Sequence, residues 1–239
     1  MAVTVSIIVP VLDEEDLVVG LLEHLRASFG SCEIVVADGG SRDRTVERAR
    51  DLASIVTAPP GRGPQAGAGA AAAAGDVLWF VHVDTRLAPG ALDELRAALA
   101  DPDVVGGGFR IRFDGPGAAL RWLEWTSNLR ARYLHWVFGD QAMFVRREHF
   151  AAAGGFGDLV LMEDLELSRR LNRHGRLVLL PGPSAASARR FVETGTVRMI
   201  VLMQWCKLLY FLGVAPEEIR RRYTAVRSRR RRRPVGDTR

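Results

Sequence analysis

The sequence contains a single lysine, Lys207, although its 33 basic residues give it a formal net charge of +5. Arginine supplies all the other basic residues, and alanine and glycine are abundant. This composition is typical of coding bias in a GC-rich genome and does not by itself indicate nucleic-acid binding. We therefore expect no nucleic-acid partner.

The sequence also has little cysteine and no long uninterrupted apolar segment. Cys32 and Cys206 are too few for a disulfide framework or a cysteine-based zinc site. The amino terminus lacks the basic start and apolar stretch of a secretory signal peptide. The most apolar segment, residues 196–214, has fewer than 20 residues and contains charged ones, which makes it a poor membrane-spanning helix. These features favour a cytoplasmic protein.

Positive charge is concentrated at the carboxyl-terminal end. Residues 215–239 carry a net charge of +7, so the rest of the chain carries −2. We expect residues 191–227 to form a helical segment that packs on the domain, on a second copy in a homodimer or on a membrane surface. Residues 196–233 would then contact anionic lipid at the inner face of the cell membrane. The equally weighted alternative is a core or dimer helix followed by a solvated tail, and we expect residues 228–239 to be disordered.

What is present is an alternation of apolar strands and helical patterns. Strands are predicted at residues 5–10, 33–37 and 77–83, and each runs into an acidic or glycine-rich loop. Chain length, an apolar content of 48% and the absence of a second pattern restart predict one α/β domain over residues 1–190. Helices are predicted at residues 14–28, 42–52, 65–74 and 89–99.

The second half of the predicted domain departs from this rhythm. Residues 104–113 alternate like a half-exposed strand, which predicts an antiparallel or mixed extension of a mostly parallel sheet. Residues 120–138 form an aromatic-rich helix, for which packing on the sheet is favoured over an acceptor-binding face. A helix beginning at residues 162–164 and two short strands, 177–180 and 184–188, complete the domain.

Acidic residues end the predicted strands at one edge of the sheet, where folds of this class place ligands. Asp84 can hold a divalent cation through oxygen and leave positions open for phosphate. His82 lies two residues earlier and is expected on the same strand face. Taken alone, this residue is favoured as a histidine satisfied within the core over a direct ligand. Asp38, followed by two glycines, offers an acceptor to a base or a sugar hydroxyl, with helix capping as its alternative.

The loop at residues 61–66 leaves two functions open. Its sequence matches a dinucleotide-binding fingerprint, with Asp84 about 20 residues further on. The preceding prolines, Pro59 and Pro60, spoil the tight strand-to-helix turn of that fingerprint, so an NAD(P)-dependent oxidoreductase is the second choice. Under either reading, Arg62 and the start of the next helix approach phosphate. A non-catalytic scaffold tethered by residues 196–233 is a third class.

Six motifs taken in order resemble the inverting family-2 glycosyltransferases of the GT-A fold, in a short bacterial branch. The similarity extends from Val5 to about Ala188. The motifs are residues 6–15 (SIIVPVLDEE), 36–43 (VADGGSRD), 61–63 (GRG), 82–84 (HVD), 139–141 (GDQ) and 162–164 (MED).

The resemblance implies that a nucleotide-sugar donor, a UDP-sugar before others, binds at the first three motifs. The residues implied to frame the nucleotide are Pro10, Leu12, Glu14, Asp38, Arg62 and Gly63. The family binds Mn²⁺ or Mg²⁺ through a D-x-D motif, in which Asp84 is the second acid and His82 replaces the first. Ser187 is a candidate for the missing ligand, with Arg189 or Arg190 able to meet phosphate.

The resemblance also assigns the chemistry. Asp164 becomes the general base that removes the proton of an unidentified acceptor, and Glu163 supports it. Judged locally, the same two acids need only stabilise a helix start. Asp140 and Gln141 are implied to face the donor sugar or the acceptor.

Overall fold

The computed structural model describes residues 3–157, 161–189, 191 and 195–231, and the surroundings of its side chains as far as residue 224. The strands are β1 (Val5–Val11), β2 (Glu33–Asp38), β3 (Ser54–Thr57), β4 (Val77–Phe80), β5 (Thr85–Leu87), β6 (Val104–Phe113), β7 (Phe144–Arg146) and β8 (Arg176–Ala186). The helices are α1 (Val18–Phe29), α2 (Thr45–Ala49), α3 (Arg62–Ala72), α4 (Ala91–Ala98), α5 (Ala118–Leu134), α6 (Arg147–Ala152), α7 (Glu163–Leu171), α8 (Thr196–Phe211) and α9 (Pro216–Arg231).

The strands form a single mixed sheet in the order β3-β2-β1-β4-β7-β6-β8-β5. Strands β1 to β4 run parallel to one another, β7 pairs antiparallel with β4 and β6, and β8 runs parallel to β6. This arrangement confirms the α/β fold with a mixed extension after the fourth strand. The carboxyl ends of β1, β2 and β4 therefore lie at one edge of the sheet.

Alternating side chains of the central strands fill two apolar layers. Ile7 and Val9 face one layer, which is covered by α1 and α4, whereas Ile8 faces the other, which is covered by α3 and α7. Trp79 is fully buried among Phe29 and Phe109, and its indole nitrogen donates to the carbonyl of Ala142 at 3.1 Å. Helices thus cover both faces of the sheet.

Several predicted boundaries differ from those in the structure. The strand expected at residues 77–83 ends at Phe80, so His82 lies in a loop and the expected shared strand face does not exist. The two short strands expected at 177–180 and 184–188 are one strand, β8, whose pairing with β6 shifts register between Phe109 and Arg110. The edge strand β5 (Thr85–Leu87) was not predicted, because three residues carry too little periodicity.

The carboxyl-terminal helices pack on the domain through one face. Ile200, Cys206 and Leu209 of α8 are buried with Leu120 and Leu123 of α5 in a third apolar cluster. The other face of α8 is exposed and carries large apolar side chains, among them Trp205. Helix α9 extends to Arg231, so residues 228–231 of the predicted tail are helical, and residues 232–239 lie outside the described part of the chain.

Strand β6 includes three consecutive glycines because its neighbours approach too closely for side chains. A Cβ atom on Gly107 would lie 2.3 Å from the carbonyl oxygen of Val178 and 2.9 Å from the ring of Phe144. Both contacts are shorter than van der Waals distance. Glycine at this position is therefore required by the spacing of β6, β7 and β8.

We expect Gly107→Ala to lower the free energy of unfolding by roughly 1–3 kcal/mol, because overpacking forces neighbouring backbone to move. The control is Gly67→Ala inside α3, where a Cβ atom would meet nothing within 4 Å. That substitution should raise stability by about 0.5–1 kcal/mol, since alanine is the better helix former. Urea denaturation of both variants checks the opposite signs, and equal stabilities would contradict the packing argument.

Candidate active site

A cavity of about 120 Å³ opens at the sheet edge where β4 and β8 end. Its walls bring together residues that are far apart in the sequence. They are Arg62, His82, Asp84, Thr85, Phe113, Phe138, Asp140, Asp164, Ala186, Ser187, Phe191 and Met203. Of the predicted site residues, the cavity gathers Asp84, Asp164, His82, Asp140, Arg62 and Ser187.

Asp164 is held at the amino terminus of α7 by backbone donors. Its Oδ2 accepts a hydrogen bond from the amide of Gly139 at 3.0 Å, and its Oδ1 accepts one from the amide of Leu165 at 2.7 Å. Ser168, one turn further along α7, donates to the carbonyl of Val137 at 2.5 Å and accepts from its amide at 3.1 Å. The carboxylate is thus oriented by the turn that carries Asp140.

Gly139 lies between His82 and Asp164, and the space there is too small for a side chain. A Cβ atom there would lie 2.9 Å from Nε2 of His82 and 3.8 Å from Oδ2 of Asp164. His82 therefore packs against the turn at Gly139–Gln141 and contributes its ring to the cavity wall. This placement brings residues of the fourth, fifth and sixth motifs, His82, Gly139 and Asp164, close to one another.

Glu163 has an environment that favours its neutral form. Only 7% of the residue is exposed. Burial and the neighbouring Asp164 carboxylate raise the pKa of Glu163 to about 7, although Arg62 opposes the shift. Glu163 therefore stays mostly protonated between about pH 4.5 and pH 7, where a free glutamate side chain is ionised.

Asp140 and Gln141 are adjacent in the sequence, but only Asp140 lines the cavity. Asp140 lines the cavity, its Oδ1 is buried without a hydrogen-bond partner among the described residues, and burial raises its pKa against the opposing effect of Arg130. Gln141 is fully buried and does not line the cavity, because its amide accepts from Arg130 at 2.9 Å and donates to the carbonyl of Phe109 at 3.4 Å. The structure does not bring Gln141 to the donor or acceptor side.

Asp38 lies away from this cavity, at the end of β2. Its carboxylate accepts hydrogen bonds from the amides of Gly40 and Ser41 and from the Ser41 hydroxyl. Asp38 is buried, so these bonds hold the loop after β2 in a fixed shape. A single pocket that gathers residues 38, 84 and 164 is therefore not present, and the site has two parts.

The sheet edge at the ends of β1 and β2 is tied together by Gln65, a residue that the motifs did not single out. Its Nε2 donates to the carbonyls of Val11 and Ala37, and its Oε1 accepts from the amide of Gly61. Gly61 has a φ of 144°, which glycine adopts readily, and α3 starts immediately after it. The ends of β1 and β2 and the start of α3 thus form one rigid edge.

The remaining predicted residues lie along this edge or between the two parts. Leu12 is 41% exposed at the end of β1, next to the partly buried Pro10, and Gly63 is buried in the first turn of α3. Arg189 reaches back to Glu14, with Nη2 3.8 Å from Oε2, and so joins the end of β8 to the loop after β1. Arg190 lies outside the described residues.

The chain alone does not form a complete metal site in the part that the structure describes. No group of three or more His, Cys, Asp and Glu residues there is close enough to hold an ion. Hard oxygen donors are nevertheless present, since Asp84 lines the cavity beside the Thr85 hydroxyl, which is buried without a partner among the described residues. This donor set fits a cation that takes most of its ligands from a bound diphosphate and water.

Arg130 and Lys207 are the charged residues near the site that sequence reasoning missed. Arg130 lies 3.4 Å from the centre of the Phe138 ring and donates to Gln141. Lys207 lies 5.3 Å from the same ring centre. The one sequence signal for Lys207 is that it is a single lysine within an apolar segment, which by itself indicates only that the segment is a poor membrane span.

The protonation of Glu163 should make stability depend on pH. Between pH 4.5 and 7 the folded chain retains a proton that the unfolded chain has released, so the free energy of unfolding falls as pH rises, by at most about 3 kcal/mol. Glu163→Gln should remove this fall, whereas Glu47→Gln, at an exposed position, should keep it. Urea midpoints measured from pH 4 to 8 test this, and identical slopes in all three proteins would contradict it.

Solved structures of glycosyltransferases share this fold. S. aureus TarS (residues 1–349) superimposes with a TM-score of 0.61 at 19% identity, over 77% of this chain and 60% of that one. The mannosyltransferase PcManGT of Pyrobaculum calidifontis, in complex with GDP-Man and Mn²⁺, gives 0.63 at 23% identity, over 77% and 57%. Glucosyl-3-phosphoglycerate synthase of Mycobacterium tuberculosis, with Mn²⁺, UDP and glucosyl-3-phosphoglycerate, gives 0.54 at 21%, over 77% and 71%.

This chain thus spans about 60% of the length of the first of these structures. No curated protein matches the sequence. None of the matches described is to an oxidoreductase, so the nicotinamide alternative gains no support. The model of the family described as glycosyl transferase family 2 matches residues 6–153, more than half of the chain. The chain belongs to glycosyl transferase family 2.

Proposed function

We propose that the protein transfers a sugar, with inversion, from a nucleoside diphosphate to a hydroxyl group of an acceptor. The observation that carries this proposal is the shared cavity of Asp84 and Asp164. One carboxylate suits the cation and diphosphate of the donor, and the other suits proton removal from the acceptor. An arrangement of two acids with separate tasks around one small space fits a single displacement.

The donor side is supported by the rigid edge that Gln65 holds together. In this proposal Pro10, Leu12, Glu14 and Asp38 frame the nucleoside, and Arg62 and Gly63 at the start of α3 lie on its far side. The amino terminus of α3 and the Arg62 guanidinium favour the negative charge of a diphosphate. Structures with this fold hold UDP, UDP-GlcNAc or GDP-Man, and we propose a UDP-sugar here.

A divalent cation, Mn²⁺ or Mg²⁺, fits the same proposal. Asp84 would hold it, with Thr85 and Ser187 as neighbouring hydroxyl donors on the cavity wall. When bound, such a cation offsets the charge that develops on the departing diphosphate. His82 keeps its place at Gly139 and shapes the wall between Asp84 and Asp164.

The chain's own part in the reaction is proton removal. The acceptor oxygen forms a bond to the anomeric carbon while the bond from that carbon to the diphosphate oxygen breaks and its electron pair leaves with the diphosphate. Asp164 takes the acceptor proton, and the amides of Gly139 and Leu165 keep its carboxylate in place. The raised pKa of Glu163, about 7, limits the second negative charge beside this base.

Substitution should separate the two carboxylates. Asp164→Asn should leave the affinity for a UDP-sugar with Mn²⁺ within about twofold but lower the release of UDP by at least about 100-fold, as expected for a lost general base. Asp84→Ala should instead weaken donor binding in the presence of Mn²⁺, while Asp93→Asn, at an exposed position on α4, should change neither quantity. Calorimetry and UDP release measure both, and full turnover by Asp164→Asn would refute the assignment.

We also propose that the protein contacts an anionic membrane surface. Within the described part of the chain, no helix has both the length and the apolar character to cross a bilayer. Helices α5 and α8 nevertheless expose large apolar side chains along a groove of about 670 Å³ that includes Trp122 and Trp205, each half exposed. The exposed arginines at residues 220–222 of α9 follow directly, and basic charge beside an apolar face suits anionic lipid.

Vesicle binding tests this contact. Wild type should sediment with vesicles of phosphatidylglycerol and phosphatidylcholine but not with phosphatidylcholine alone, and Trp205→Glu should reduce that binding at least about tenfold. Ala151→Glu, at an exposed position on α6, is the matched control. Absence of vesicle binding would overturn the proposal, and so would a dimer that Trp205→Glu dissociates, since the face would then join two copies of the chain.

A further inference from the structure

A second cavity, of about 300 Å³, lies behind Phe138 on the side of α5 and α8. Its wall is formed by Thr126, Ser127, Arg130, Trp136, Phe138, Leu165, Gln204, Lys207 and Phe211. Phe138 belongs to both cavities, and Leu165 is the neighbour of Asp164. The second cavity is therefore adjacent to the proposed base.

Two partly buried cations, Arg130 and Lys207, line this cavity. The Arg130 guanidinium donates to the carbonyl of Trp136 at 3.1 Å and to Oε1 of Gln141 at 2.9 Å, both of which are uncharged. The Lys207 ammonium makes one long hydrogen bond, 3.4 Å, to Gln204. Among the described residues neither cation has a carboxylate within 4.0 Å, as all the ion pairs found there involve other residues.

Two like charges in a poorly solvated site are costly, so this arrangement needs an explanation. Buried charges in proteins are generally paired or serve a ligand. Burial and the positive charge of Arg130 lower the pKa of Lys207 to about 8, against the opposing influence of Asp140 and Asp164. Asp140 forms no ion pair with either cation within 4.0 Å.

The cavity has the size and the walls of a small-molecule site. Its volume is at the lower end of the range for ligand pockets, and the rings of Trp136 and Phe211 stack with their centroids 5.7 Å apart at one side. Ammonium and guanidinium groups next to such rings are suited to phosphate or carboxylate. Gln204 also lines the apolar groove between α5 and α8, so the anion site is continuous with that groove.

We propose that the cavity at Arg130 and Lys207 binds an anionic group, a phosphate or a carboxylate, of the acceptor, and thereby brings the acceptor hydroxyl to Asp164. This inference rests on the proposed function for the identity of the ligand as the acceptor. The anion site itself rests on the geometry alone. The same chemistry is offered by a free small phosphate compound and by a lipid with a phosphate headgroup.

The test measures anion binding with the donor side already filled. Wild type, saturated with UDP and Mn²⁺, is titrated with inorganic phosphate and, separately, with dihexanoyl phosphatidic acid. Lys207→Met should weaken phosphate binding at least about tenfold, Lys207→Arg should retain it, and Arg96→Ala, remote from both cavities, should leave it unchanged. Lys207→Met should also raise the melting temperature without phosphate, because it removes the repulsion from Arg130.

The outcomes separate this inference from the proposed function. Equal phosphate affinity of wild type and Lys207→Met would overturn the anion site, even if UDP and Mn²⁺ bind normally. Phosphate binding that depends on Lys207 would support the site, even if no sugar transfer is found. Binding of phosphatidic acid at least tenfold tighter than phosphate, lost again in Trp205→Glu, would identify the lipid source, and equal affinities would identify the soluble one.

Discussion

The hydrogen bond between the Asp164 carboxylate and the Gly139 amide is the contact on which the arrangement of the site depends. It joins the start of α7 to the turn that carries Asp140, and the Ser168 hydroxyl repeats the connection at Val137. His82 packs so close to Gly139 that no side chain fits between them. Three segments that are far apart in the chain therefore meet around one Cα atom, and any change of its position moves both Asp164 and the wall that bears Asp84.

Charge around this contact is kept low by burial. Glu163 and Asp140 have raised pKa values because their carboxylates are desolvated, and Lys207 has a lowered one for the same reason. Desolvation disfavours the charged form of acids and bases alike. A charge that enters such a site is little screened by water, so its interaction with an opposite charge is stronger than in solvent. Weak screening by water therefore connects Arg130 and Lys207 of the second cavity with the proposed anionic acceptor.

The fold could be predicted from sequence because β1, β2 and β4 have strong local patterns. Each has an apolar run that leads into an acidic or glycine-rich loop, and parallel pairing places those ends at one edge. Asp84 and Asp164 could be proposed for one cavity only through the family resemblance, since nothing local connects α7 with the loop after β4. The strand β5 and the continuous β8 escaped prediction because their pairing is long-range and Pro181 and Gly182 interrupt the pattern of β8.

Residues that act through tertiary contacts were equally hidden. Gln65 looked like a helix residue, yet it joins the ends of β1 and β2 to Gly61. Gln141 looked like a ligand-facing residue, yet its polar atoms are used inside the protein by Arg130 and Phe109. An amide has the same appearance in a sequence whether its partners are substrate or backbone. Only the folded structure shows whether the amide contacts a ligand or the protein's own backbone.

Under the proposed function, the donor side and the acceptor side of the site come from two different parts of the chain. The family match ends at residue 153, and it includes the ends of β1 and β2, the start of α3 and Asp84. Asp164, Ser187, Met203 and Lys207 come from the segments after it, and α7 and α8 each line both the cavity of Asp164 and the cavity of Arg130. A donor side built on parallel strands can therefore stay unchanged while α8 is replaced, because α8 contacts the rest of the protein mainly through apolar packing. Under the proposed function, we expect acceptor choice to reside in α8, the helix that carries the only lysine of the chain.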